Sequence, residues 1–205
     1  MSGSGNRVPN RRGEGRLLRH EIVAAAERIL EREGDEDAIT LRSVAREAGI
    51  SAPSIYAHFA DRDAVIEAVL DIAFDRLQAL VLDTLSALPE DGDPVESLLY
   101  GCRAYGEFAE REPARYRVLF SRRRRVNAAP PPTSRLTSFQ LLAESIAACV
   151  RAGRSDSTDP FADASTLWAA LHGAVILRQS QPAFPWPPLS ETTQALAVRI
   201  ARITP

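Results

Sequence analysis

The sequence predicts an all-α fold of about nine helices, and three observations carry that reading. Ala, Leu, Val and Ile dominate a hydrophobic content of 45%, with aromatics at only 6%. Apolar residues recur at helical spacing with no sustained alternation of apolar and polar positions. The periodic stretches are bounded by Gly, Pro and capping residues. At 205 residues the chain can build a real core in one large or two small domains, which excludes a disordered or fibrous protein.

Leu17, Ile22, Ala25, Ala26, Ile29 and Leu30 lay one apolar stripe along a first helix that Gly34 and Asp35-Glu36-Asp37 stop. Thr40 is a good cap for a second, short helix over 41–48, and Gly49 can end it because glycine adopts positive φ without steric penalty. Ser51 is expected to cap a third helix over 52–59, where Pro53 falls in the first turn and forfeits no intrahelical bond. Asp61 opens a long fourth helix from 62 to about 88, carrying Val65, Val69, Ile72, Leu77, Leu80 and Leu85 until Pro89-Glu90-Asp91-Gly92 breaks it. Pro94 and Pro113 at first helical positions predict helices over 94–111 and 113–121. Residues 122–133, four arginines followed by three prolines, read as a loop. Residues 136–151 and 160–181 are again apolar and periodic, 182–188 cannot continue a helix, and Ser190 caps a last amphipathic stretch ending near Ile203.

The net charge of −2 does not advertise a nucleic-acid binder, but its distribution is uneven. Arg7, Arg11, Arg12, Arg16 and Arg19 precede a strongly acidic stretch from Glu21 to Asp37. All 25 basic residues other than histidine are arginine, which together with the Ala and Pro content points to a GC-rich bacterial genome. Cys102 and Cys149 lie in apolar periodic stretches and read as small core residues in a reducing cytoplasm. Residues 1–15 lack an apolar signal region, and no run approaches the roughly 18 apolar residues of a membrane span. A cytoplasmic protein without membrane partners is expected. With only His20, His58 and His172, and no Cys-x-x-Cys, HExxH or Gly-rich phosphate loop, no catalytic residue, metal or cofactor is expected.

Function concentrates in residues 41–60, LRSVAREAGISAPSIYAHFA. A helix-turn-helix needs a small residue where its helices cross, a glycine to reverse the chain, and apolar residues to fix the angle. Ala45, Gly49, and Val44, Ile50 and Ile55 fill those roles at the required spacing.

The run from Ser54 to Val65, SIYAHFADRDAV, resembles the hallmark of tetracycline-repressor-type (TetR/AcrR) transcription regulators, with Arg62 where that family often has lysine. The segments 113–120 and 168–173 resemble the WHG subgroup of its C-terminal domains. The resemblance implies a basic arm over 1–15, a helix-turn-helix DNA-binding domain over 16–62, and a ligand-binding and dimerisation domain over 63–205. The third helix would enter the major groove with Ser51, Ala52, Ser54, Tyr56 and Ala57 toward the bases. Thr40, Tyr56, His58 and Arg62 would hold phosphates, and Arg42 on the second helix is as readily solvated as DNA-bound. Tyr56 could instead be a core aromatic and His58 a local cap. The arm arginines could enter a minor groove or stay solvated, and Arg122 to Arg125 read as loop.

A palindromic operator implies a homodimer, with the last two helices pairing across the two-fold axis through Leu167, Leu171, Val175, Leu196 and Ile200. Helices four to eight would enclose a pocket for an unknown small hydrophobic effector, lined by Phe74, Leu77, Cys102, Tyr105, Phe108, Tyr116, Phe120, Phe139, Leu142, Trp168 and His172. The resulting reading is a ligand-responsive repressor of double-stranded operator DNA. A helical protein-interaction module without operator binding is the alternative.

Overall fold

The computed structural model describes residues 14–89, 91–121 and 133–204. Among these it forms α1 (Glu14–Glu33), α2 (Leu41–Glu47), α3 (Ala52–Ile55), α4 (Arg62–Ser86), α5 (Pro94–Arg111), α6 (Pro113–Ser121), α7 (Thr133–Arg151), α8 (Pro160–Ser180) and α9 (Leu189–Ile200). A short 3₁₀ turn, Glu36–Ala38, joins α1 to α2. The described residues contain no strand, only an isolated antiparallel bridge between Ser155 and Ile203. The all-α fold is as the sequence predicts.

The chain divides into two compact units, one ending at Leu70 and the other beginning at Asp71. The division falls inside α4, further along than the 62/63 boundary expected from the sequence, and Val65, Ile66 and Val69 before it are fully buried. The basic arm residues Arg7, Arg11 and Arg12 and the run Arg122 to Arg125 lie outside the described residues.

In the N-terminal unit α1 packs on α2 and α2 on α3. Their core is Ile22, Ala26, Ile29 and Leu30 from α1 with Ile39, Val44, Ala45, Ile55 and Phe59. Thr40 caps α2 as expected, accepting the Ser43 N–H at 3.0 Å, while the Ser43 hydroxyl accepts the Thr40 N–H at 2.9 Å. At the other end Gly49, with φ of +67°, lets its N–H reach the Arg46 carbonyl at 3.3 Å and the Ile50 N–H reach the Ala45 carbonyl at 3.0 Å. This closed C-terminal motif turns the chain into α3.

Two caps differ from expectation. Ser51 precedes α3 but makes no side-chain cap; its hydroxyl pairs with that of Ser54 at 2.7 Å. The regular part of α3 also ends at Ile55, short of the expected Phe59, because the His58 and Phe59 N–H groups both converge on the Ile55 carbonyl at 2.9 Å in a closing turn. Ser190 does not cap α9, which starts at Leu189 behind Pro188. Asp61 and Asp159 do cap their helices, accepting N–H groups of Ala64 at 2.8 Å and Ala162 at 3.0 Å.

In the C-terminal unit α5 packs against α6, α7, α8 and α9. Where it meets α9, a Cβ on Gly106 would stand 3.3 Å from Thr193 Cγ2 and 3.4 Å from Leu189 Cδ2, so any larger residue requires these side chains to give way. Cys102 and Cys149 are free and buried, as small core residues. Leu167, Leu171 and Val175 of α8, expected at a dimer face, are also buried within the single chain; Leu196 and Ile200, expected there too, are half-buried. The apolar surface of α8 is carried by Phe161, Trp168 and Leu177.

Gly106→Val should destabilise the fold by roughly 1–3 kcal/mol through overpacking against Thr193 and Leu189, read as a lower urea midpoint. An unchanged midpoint would mean that α9 yields without penalty.

Candidate DNA-reading surface and ligand cavity

The reader surface is built by α2, the turn and α3. Thr40, Arg42, Ser51 and Ala57 are exposed, while Ala52, Ser54 and His58 are half-buried. Tyr56 is 61% exposed, which excludes the core reading of this aromatic. Among the described residues the His58 side chain makes no hydrogen bond, so the turn into α4 is closed by backbone, not by the imidazole. Phe59 is core, with the Arg19 guanidinium 4.8 Å from its ring centroid. The side chains expected toward the bases are thus short hydroxyls and methyls beside the Tyr56 phenol, and none is a bidentate reader of guanine or adenine. Exposed Arg46 on α2 and Pro53 on α3 flank the same surface.

Arg62 is bonded within the chain. Its Nε donates to the Ile39 carbonyl, and Nη2 to the Glu36 carbonyl at 2.7 Å and the Asp37 carboxylate at 3.1 Å. These bonds fasten the connection between α1 and α2 to the start of α4. The guanidinium expected at a phosphate forms an internal clamp in this structure, its planar fork matching a cluster of acceptors that the sequence alone does not reveal. Removing it in Arg62→Ala should lower stability by roughly 1–2 kcal/mol, and Arg62→Lys should restore little because a point charge cannot span three acceptors. Urea unfolding of the two variants checks this, and full rescue by lysine would refute the fork geometry.

The C-terminal unit holds a cavity of about 400 Å³. Of the residues expected to line it, Phe74, Leu77, Cys102, Tyr105, Phe120, Phe139, Leu142 and Trp168 do so. Phe108, Tyr116 and His172 do not. Phe108 is buried core, and Tyr116 stands behind the wall, hydrogen-bonded to Tyr105 through paired hydroxyls at 2.8 Å and to His172 Nδ1 at 2.8 Å. The wall also includes Gln78, Val81 and Leu85 of α4, Leu98 and Gly101 of α5, and Ser138, Leu141 and Ser145 of α7. The apolar members among them had the 3.6-residue periodicity as a signal, but periodicity cannot separate a cavity lining from solid core.

Aromatic rings continue the wall. Phe120 sits 4.3 Å from the His172 ring and 6.1 Å from Trp168, and Phe139 sits 6.1 Å from Trp168, centroid to centroid. Burial pushes the Cys102 thiol and the Tyr105 phenol up to about 12 and the Tyr116 phenol well above its ordinary range. The same burial holds His172 below its ordinary range, so the folded chain favours the neutral imidazole.

The geometry defines a class: an N-terminal helix-turn-helix with an exposed reader, followed by a helical unit with a mostly apolar, drug-sized cavity. Comparison with known proteins makes the assignment. Residues 22–69 match the family model "Bacterial regulatory proteins, tetR family", and residues 98–201 match "Tetracyclin repressor-like, C-terminal domain". The chain belongs to the tetracycline-repressor family and is a DNA-binding transcriptional regulator. An uncharacterised HTH-type transcriptional regulator of Mycobacterium tuberculosis is 27% identical over 165 residues, 80% of this chain and 72% of that protein. The solved structure of a protein of unknown function from Rhodococcus sp. RHA1 is 25% identical, covers 90% of this chain and 94% of its own, and superposes with a TM-score of 0.77. SmeT, the repressor of the Stenotrophomonas maltophilia multidrug efflux pump SmeDEF, shares the fold at 17% identity and a TM-score of 0.62, over 91% of this chain and 90% of its own.

The His172 shift has a sign. The unfolded chain takes up the imidazole proton at ordinary histidine pH and the fold resists it, so this contribution is full above that range and is lost as pH falls through it. Between about pH 7.5 and pH 5.5, Tm should fall further for the wild-type chain than for His172→Gln. Equal falls would assign the acid sensitivity to other groups.

Proposed function

We propose that the chain is a cytoplasmic, homodimeric repressor that holds a palindromic operator and releases it when a small, mostly apolar molecule fills the cavity of its C-terminal unit. The observation that carries this reading is the cavity itself: five of its lining residues, Phe74, Leu77, Gln78, Val81 and Leu85, belong to α4, whose first turns belong to the N-terminal unit. A ligand that prefers one setting of α4 changes operator affinity, and operator changes ligand affinity by the same factor. Leu177, half exposed on α8, with half-buried Leu196 and Ile200 on α9, favours these two helices as the face for a second copy. Ser51, Ala52, Ser54 and Ala57 approach base edges, while Thr40, Tyr56 and His58 contact phosphates.

Selection of bound sequences from random duplex DNA by the purified protein tests the reading. The expected result is a palindrome with half-sites about one helical turn apart and affinity that falls steeply with salt. No enrichment at low salt would favour the protein-interaction module instead. On the selected operator, Tyr56→Ala should weaken binding about tenfold with the salt dependence unchanged, because a neutral phenol releases no counterion, and without altering Tm, because the ring is exposed. Unchanged affinity would remove Tyr56 from the interface.

A further inference from the structure

Along α4 the cavity-lining residues Phe74, Leu77, Gln78, Val81 and Leu85 recur at helical spacing and form one face. Four of them are apolar. Gln78 stands where that period calls for another apolar side chain, and its amide makes no hydrogen bond among the described residues. The hydroxyl-bearing residues of the wall are engaged. The Ser145 hydroxyl donates to the Leu141 carbonyl at 2.9 Å, the Tyr105 hydroxyl pairs with Tyr116 at 2.8 Å, and Ser138 has an interaction of its own. Among the described lining residues none is Asp, Glu, Arg, Lys or His.

We infer that the cavity selects an uncharged molecule, aromatic or alicyclic in body and bearing a hydroxyl or carbonyl group, and that Gln78 is the residue that reads that group. This rests on the cavity being the effector site. A charge brought into such a wall loses its hydration and meets no opposite charge among the described lining residues, so an ionised ligand is rejected. A neutral hydroxyl or carbonyl finds a side chain that can both donate and accept, since the amide carries both functions. A purely apolar ligand of the same shape enters but leaves the amide unsatisfied. Because the handle sits on α4 and not on α7 or α8, the ligand's polar group bonds to the helix that carries the proposed coupling.

The test uses the full chain at pH 7 with the fluorescence of N-phenyl-1-naphthylamine as the occupancy probe, displaced by naphthalene, 2-naphthol or 2-naphthoate. These competitors share one body and differ only in an absent, neutral or ionised polar group. The expected order is 2-naphthol ahead of naphthalene by about two- to tenfold, the range of one neutral hydrogen bond, with 2-naphthoate failing to compete. In Gln78→Leu and in Gln78→Met the preference should vanish while the probe still binds. Two variants are used so that a fold defect in one, seen in its melting curve, does not decide the result.

Competition by 2-naphthoate equal to that of 2-naphthol, or a naphthol preference that survives both variants, overturns the inference and leaves the cavity reading standing. Gly101→Phe addresses the cavity separately: a Cβ there meets nothing nearer than Val81 Cγ1 at 4.0 Å, so the ring projects into open space and should abolish probe binding. If the probe fails to bind the wild-type chain, or still binds Gly101→Phe, the cavity is not the effector site and the inference falls with it.

Discussion

Helix α5 must touch α6, α7, α8 and α9 at once, and the C-terminal unit is arranged around that demand. A helix packed on so many sides cannot carry large side chains everywhere. Gly106 removes the Cβ where α9 crosses, and Ala104 and Ala109 stay small nearby, while Leu98, Tyr105 and Phe108 fill the wider gaps. Gly101, on the same helix, has room beside it, and there the packing gives way to the cavity. The solid core and the hollow one are thus two results of where small residues fall along one helix.

The buried polar chain Tyr105, Tyr116 and His172 ties α5, α6 and α8 together behind that hollow. Each hydroxyl satisfies a neighbour, which is the condition for keeping polar groups inside an apolar wall. Burial keeps the phenols protonated and favours neutral histidine, so the wall carries little formal charge near neutral pH. The chemistry of the cavity is therefore governed by desolvation and shape more than by charge pairing.

The reader unit solves a different problem with the same economy of residues. Its helices are short, and α3 has a single regular turn, so the angle of the reader depends on capping and on the Arg62 clamp more than on helix length. Reciprocal bonds between Thr40 and Ser43 fix the start of α2, and Gly49 fixes its end. Ion pairs from Arg28 and Arg32 to Glu47, at 2.9 and 3.2 Å, add only surface support between α1 and α2. What remains outward is a surface of short hydroxyls, the Ala57 methyl, one large phenol and the side chains of Arg42 and Arg46.

The sequence by itself determined the all-α class, the helix-turn-helix and most helix starts, because those rest on local physics. Pro94 and Pro113 occupy first helical positions with the bounds expected of them, Thr40 and Asp61 cap, and Gly49 takes positive φ. The same local signals misled where two partners competed for one group. Ser51 turned to Ser54 in place of the helix terminus, and the Arg62 bonds to the Glu36 and Ile39 carbonyls had no local signal. Eight of the eleven residues expected around the cavity line it, but Tyr116, His172 and Phe108 do not, and Leu167, Leu171 and Val175 are buried inside one chain. Periodicity reports that a side chain faces inward; only the tertiary structure decides whether inward means core, cavity or another molecule, because that depends on which helix arrives from elsewhere in the chain to fill the space.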